Sequence, residues 1–71
     1  MSNDFLAKFG SRVREVRISR GLSQEKLAFE IGMDLTSVNE IERGKRNPTL
    51  RTIVKIAQAL GLRPADLLSD L

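Results

Sequence analysis

The residues best equipped for chemistry are a short run of polar side chains followed by a cluster of cations. Thr36, Ser37, Asn39, Glu40 and Arg43 supply hydroxyl, amide, carboxylate and guanidinium groups within one segment. That mixture of donors and acceptors suits the edges of base pairs, although it is also compatible with an ordinary solvated helix face. Arg43, Lys45, Arg46 and Arg51 then follow with no acid among them, and Asn47 and Pro48 stiffen the stretch between. Such a cluster beside the polar run suits phosphates, which position a protein on a duplex without specifying sequence. Taken alone, the same charge run is also compatible with ordinary solvated surface.

Catalytic chemistry is poorly supported. The chain has no histidine and no cysteine, which removes the commonest general base, the thiolate nucleophile and most metal ligands. Its carboxylates are scattered without an acid-base pair, and no glycine loop is built for phosphate. We therefore expect no enzyme, metal or cofactor. Twelve Lys plus Arg against nine Asp plus Glu leave a net charge of +3, so the distribution of charge says more than its sum. With 71 residues and 41% hydrophobic content, the expectation is one small domain over residues 1–71 with a thin core. The start, MSNDFLAKFG, lacks the pattern of a signal peptide, and no apolar run is long enough to span a bilayer. A cytoplasmic protein is expected.

The elements that must position these groups read as helices throughout. From Asp4, a plausible N-cap, to about Arg20, the residues Phe5, Leu6, Phe9, Val13 and Val16 recur at spacings of three and four, predicting a helix with those residues in the core. Lys8, Arg12, Arg14, Glu15 and Arg20 make its polar face, and Gly10 costs its interior ~1 kcal/mol. Ser23 caps a second helix that starts at Gln24, buries Leu27, Ala28 and Ile31 and ends at Gly32. Asp34 caps a third from Leu35 to Arg43, which Gly44 ends. The turn between them is short, so they cross steeply, and the small Ala28 sits where a crossing requires it.

Thr49 caps a fourth helix whose apolar stripe is Leu50, Ile53, Val54, Ile56, Ala57 and Leu60, with Gly61 at its end. Pro64 opens a short fifth helix carrying Leu67, Leu68 and Leu71, for which Arg63 is an unusual N-cap. Projected at about 100° per residue, the third helix buries Val38 and Ile41. Thr36, Asn39, Glu40 and Arg43 are left on the opposite face, with Leu35, Ser37 and Glu42 flanking.

Residues 24 to 43 resemble the helix-turn-helix of the lambda-repressor-like (Cro/CI, or XRE) family. Leu27, Ala28, Ile31, Gly32, Met33, Val38 and Ile41 fall where that pattern wants them, and the flanks GLSQEKLA and IERGKRNPTL are similar to family signatures. The likeness covers essentially the whole chain. It implies an all-α, compact five-helix domain that binds double-stranded DNA and regulates transcription, with the third helix in the major groove.

The positions that follow are Leu35, Thr36, Ser37, Asn39 and Glu40 for base reading, and Gln24, Arg43, Lys45, Arg46 and Asn47 for phosphates. Gln24 sits at the amino end of the second helix, where the dipole favours an anion. Leu35 and Thr36 depart from the Gln or Arg common in the family near the start of this helix, which shifts weight toward Arg43, Arg46 and DNA shape. Glu40 either accepts from a cytosine amine or repels phosphates. The resemblance further implies that Arg17 and Glu42 pair between the first and third helices.

A domain this small covers few base pairs, so a homodimer on a two-fold symmetric operator is expected, with recognition helices ~34 Å apart. Leu60, Leu62, Leu67, Leu68 and Leu71 either form its interface or close the monomer core. The competing function is a protein-interaction module in which Glu25 and Glu30 contact RNA polymerase. The layout is similar to restriction-modification controller proteins, antitoxins and phage repressors alike.

Overall fold

Three short side chains set where the middle helices begin. Ser23 Oγ accepts from the Lys26 amide at 3.0 Å, Asp34 Oδ1 from Ser37 at 2.7 Å and Thr49 Oγ1 from Thr52 at 3.1 Å. Each satisfies an amide that the helix geometry leaves unpaired. The structure, a computed structural model, describes residues 4–71. Its elements are α1 (Asp4–Ser19), α2 (Gln24–Ile31), α3 (Leu35–Glu42), α4 (Leu50–Leu60) and α5 (Pro64–Leu68). The described residues form an all-α fold without strands. None of their helices is long and apolar enough to cross a membrane. The capping role expected of the Asp4 side chain lies outside what is described.

Left-handed glycines close α2 and α4, as their positions in the sequence predict: Gly32 has φ 71° and Gly61 φ 73°. At α5, Arg63 stands at the cap with no acceptor of its own. Asp66 instead reaches back to accept from the Arg63 amide at 3.0 Å, which explains how an arginine is tolerated there.

The core gathers one stripe from every helix: Phe9 and Val13 from α1, Leu27, Ala28 and Ile31 from α2, Val38 and Ile41 from α3, Ile56, Ala57 and Leu60 from α4, and Leu67 from α5. Two expectations need correction. Phe5 is 62% exposed and lies outside the core, on the wall of a surface groove shared with Ile53 and Leu68. Leu50 is 71% exposed, so the apolar stripe of α4 is wider than the surface that covers it.

Gly10 has a use that the helical pattern hides. A Cβ at this position would lie 2.3 Å from the Ile41 carbonyl oxygen and 2.6 Å from that of Glu42. The local cost of a glycine inside α1 therefore accompanies direct backbone approach of α1 to the end of α3. The expected polar face of α1 is also less free than its periodicity implies. Arg12 donates to the Asp66 and Ser69 carbonyls at 2.8 and 2.9 Å, and Arg20 donates to the Leu60 carbonyl at 2.9 Å. These arginines hold the carboxyl ends of α5 and α4, where carbonyls lack helical partners and cations are favoured.

Candidate nucleic-acid interface

The corner between α2 and α3 consists of Gly32, Met33 and Asp34, and the Met33 amide donates to the Ala28 carbonyl at 2.9 Å. This bond closes α2 just before Asp34 opens α3. Both helix ends are thus fixed within one turn of chain, and Ala28, 3% exposed, lets the helices cross closely. Val38 and Ile41 face inward as the projection requires.

On the outer side of α3, Thr36 and Arg43 are exposed and Asn39 and Glu40 are half-buried. Leu35 is 43% exposed at the amino end of the same helix. Ser37 is the correction in this group. It is 7% exposed, turned toward the protein at the first turn, which removes its side chain from the surface that could meet a base. Its amide, followed by its hydroxyl, holds the Asp34 carboxyl below the usual carboxylate range, and the positive charge of Arg46 adds to the effect.

Behind this face lies a polar network. Arg17 and Glu42 meet through Nε and Oε2 at 2.6 Å and Nη2 and Oε1 at 3.0 Å, with their side chains 9% and 1% exposed. Arg17 Nη1 also donates to the Leu22 carbonyl at 2.7 Å, so α1, the α1–α2 turn and α3 are tied at one guanidinium. The amide of Gln24 joins the network, donating to Glu42 Oε1 at 3.0 Å, and Asn39 Nδ2 lies 3.5 Å from Gln24 Oε1. Gln24 is therefore held in a fixed orientation between the buried pair and the outer face of α3. Its position at the amino end of α2 marked it in the sequence, but this support by Glu42 did not show there.

Beyond α3, the Lys45 amide donates to the Glu40 carbonyl at 2.8 Å across Gly44, whose φ is 72°. A Cβ on Gly44 would come within 2.8 Å of Ala7 Cα, so the start of the basic loop is pressed against α1. Lys45, Arg46 and Asn47 are exposed beside α3, as is Arg51 at the start of α4. Arg46 donates through Nε and Nη2 to Glu40 Oε1 at 3.1 and 2.9 Å. Sequence reasoning missed this contact because no helical spacing links the two positions; the turn at Gly44 brings them together.

The carboxyl-terminal leucines divide. Leu60 and Leu67 are 1% and 0% exposed and close the core of the monomer, which corrects their assignment to an interface between copies. Leu62 and Leu71 are partly buried against that core, and Leu68 is 43% exposed. Leu68 and Leu71 instead line a shallow apolar groove of about 150 Å³ with Phe5, Leu6, Pro48 and Ile53.

Comparison with known proteins agrees with this architecture. Residues 13–67 match the family described as Helix-turn-helix. The control protein C.BamHI of Bacillus amyloliquefaciens is 49% identical over 69 residues, covering 96% of this chain and 85% of the relative. The control protein C.MunI of a Mycoplasma species is 39% identical over 70 residues, covering 97% and 95%. The crystal structure of the restriction-modification controller protein C.AhdI from Aeromonas hydrophila aligns with a TM-score of 0.85 at 52% identity, covering 87% of this chain and 94% of that one. With a corner of two short helices, a free polar face on the second and this close set of relatives, the chain belongs to the XRE-type helix-turn-helix family of DNA-binding transcription regulators.

Proposed function

We propose that this chain is a controller-type regulator that binds a two-fold symmetric operator as a homodimer, with α3 of each copy in the major groove. The observation that carries this reading is the outer face of α3, where exposed Thr36 and Arg43 and half-buried Asn39 and Glu40 lie beside Lys45 and Arg46. Thr36, Asn39 and Glu40 read base edges there, and Leu35 is available to a thymine methyl. Gln24, Arg43, Lys45 and Asn47 hold phosphates around them, and Arg46 holds a phosphate on arbitrary duplex and turns to a base at a matched site, so attraction comes from the loop and register from the helix. The names of the relatives C.BamHI, C.MunI and C.AhdI support a controller over a phage repressor or antitoxin. Such a role belongs in the cytoplasm.

The second copy docks through the groove of Phe5, Ile53 and Leu68 rather than through the whole leucine tail. Phe5, Leu50 and Leu68 are 62%, 71% and 43% exposed, more apolar surface than a lone domain this small has reason to keep. Its test is sedimentation at micromolar concentration. A dimer that Phe5→Ser with Leu68→Ser converts to a folded monomer supports the interface; a parent that is a strict monomer removes it.

DNA reading is tested by selecting sites from random duplexes with the purified protein. A two-fold symmetric product, bound with steep salt dependence, is the expected result. Recovery of no preferred sequence would reject specific binding. A contact with RNA polymerase is a compatible second activity, favoured by Phe29, which is 80% exposed on α2 between Glu25 and Glu30. An α2 variant with normal operator affinity but no activation in a purified transcription reaction is its signature.

A further inference from the structure

Arg46 differs from its neighbours in the basic loop. Among the described residues, Arg43, Lys45 and Arg51 have no carboxylate within ion-pair distance, whereas Arg46 spends two donors on Glu40 Oε1 at 3.1 and 2.9 Å. Both partners remain about 40% exposed, at 42% and 39%, so the pair is open to exchange with a ligand. Glu40 itself is on the face of α3 assigned above to base reading, and its backbone carbonyl accepts from Lys45 at 2.8 Å, which holds the loop in place beside it.

We propose that Glu40 acts as a counter-charge that restrains Arg46, so that the two engage DNA together and only where each finds a replacement partner. This inference rests on the reading of α3 as the groove-binding helix. Against a featureless run of phosphates, Arg46 exchanges one anion for another and gains little. The released Glu40 carboxylate is then left facing negative charge. At a G·C pair the exchange closes on both sides: guanine offers O6 and N7 to a guanidinium fork, and cytosine offers an N4 amine to a carboxylate. The ion pair thereby subtracts from binding to arbitrary duplex and leaves binding to a matched site intact. It is a specificity device located at the junction of helix and loop.

The test is a double-mutant cycle of Glu40→Gln and Arg46→Gln, measured on a duplex of random sequence and on sites selected with the parent protein. Each residue is at the surface, and circular dichroism melting verifies that all variants fold. On the random duplex, Glu40→Gln is expected to tighten binding about fivefold, the scale of an exposed ion pair. The salt slope is expected to steepen by about 0.9, one further phosphate contact. Both changes should vanish when Arg46 is already Gln, and the selected sites should carry a G·C pair that Glu40→Gln no longer demands. An equal gain with and without Arg46 would make Glu40 a plain repelling charge and overturn the restraint. So would no gain at all while the parent still binds its selected sites. If the parent binds neither duplex, the groove-binding reading fails and the restraint fails with it.

Discussion

Two arginine–glutamate pairs grip α3 within one turn of each other, and they are opposites. Arg17 and Glu42 lie at 2.6 Å with side chains 9% and 1% exposed, whereas Arg46 and Glu40 lie at 2.9 Å with 42% and 39% exposed. The distances barely differ; burial does. Two buried charges must stay together, because either alone has lost its water and has nothing in exchange. Two exposed charges part at small cost, since water or a ligand can replace the partner. The same chemical pair is thus a fixed joint on the inner side of α3 and an exchangeable one on the outer side. The inner joint adds orientation rather than much net stability, and Gln24 takes its own orientation from it.

The contrast can be broken most severely at the inner pair. Arg17→Ala should cost about 3–5 kcal/mol by leaving Glu42 buried without its cation. Denaturant titration measures this, and an unchanged midpoint would show that the pair is not a joint. Replacing both, Arg17→Met with Glu42→Leu, should recover most of that loss while DNA affinity stays low, because Gln24 no longer has an acceptor.

Gly10→Ala comes next. The new methyl meets backbone oxygens of Ile41 and Glu42, which cannot swing aside as a side chain would. A loss of about 3 kcal/mol is expected despite alanine's higher helix propensity, with a fall in Tm above about 10 °C. At the outer pair, Glu40→Gln should move stability by less than about 0.5 kcal/mol while changing DNA binding, in contrast to the large stability loss expected of Arg17→Ala at the inner pair.

The smallest expected effect is on acid stability. Asp34 is held below the ordinary range by its bonds from Ser37, and Asp66 by those from Arg63. A carboxyl lowered in the folded state contributes its full stabilisation above its unfolded value of about 3.9. That contribution is lost as pH falls through the lower folded value. Tm should therefore not change between pH 7 and 5 on account of these two caps, and should fall below about pH 4. Asp34→Asn with Asp66→Asn should weaken that acid-induced fall, seen as a flatter plot of Tm against pH.

What was legible in the sequence was whatever is encoded within a few neighbouring residues. The caps Ser23, Asp34 and Thr49, the closing glycines and the inward stripes of α2 and α3 follow from local hydrogen bonding and the helical repeat. So does the polar face of α3 with its adjoining cations. Burial near helix ends was less legible. Phe5 and Leu50 sit on apolar stripes yet stay mostly exposed, and Ser37 is covered although it only flanks the buried side. Periodicity gives direction around a helix axis but not how far along that axis a neighbour extends.

By itself, then, the sequence determined five helices, the caps of the middle three and the outward side of α3, because each depends on interactions within a turn or two of chain. Apart from Arg17 and Glu42, whose pairing the family resemblance implied, tertiary structure alone decided which charges meet. Arg12 and Arg20 hold the ends of α5 and α4, Leu60 and Leu67 seal the core, and Arg46 folds back onto Glu40. It also gave Gly10 its purpose, since the oxygen that excludes a side chain there belongs to a residue far along the chain. A contact between distant segments depends on how the helices pack, and that is fixed only when the shared core has formed.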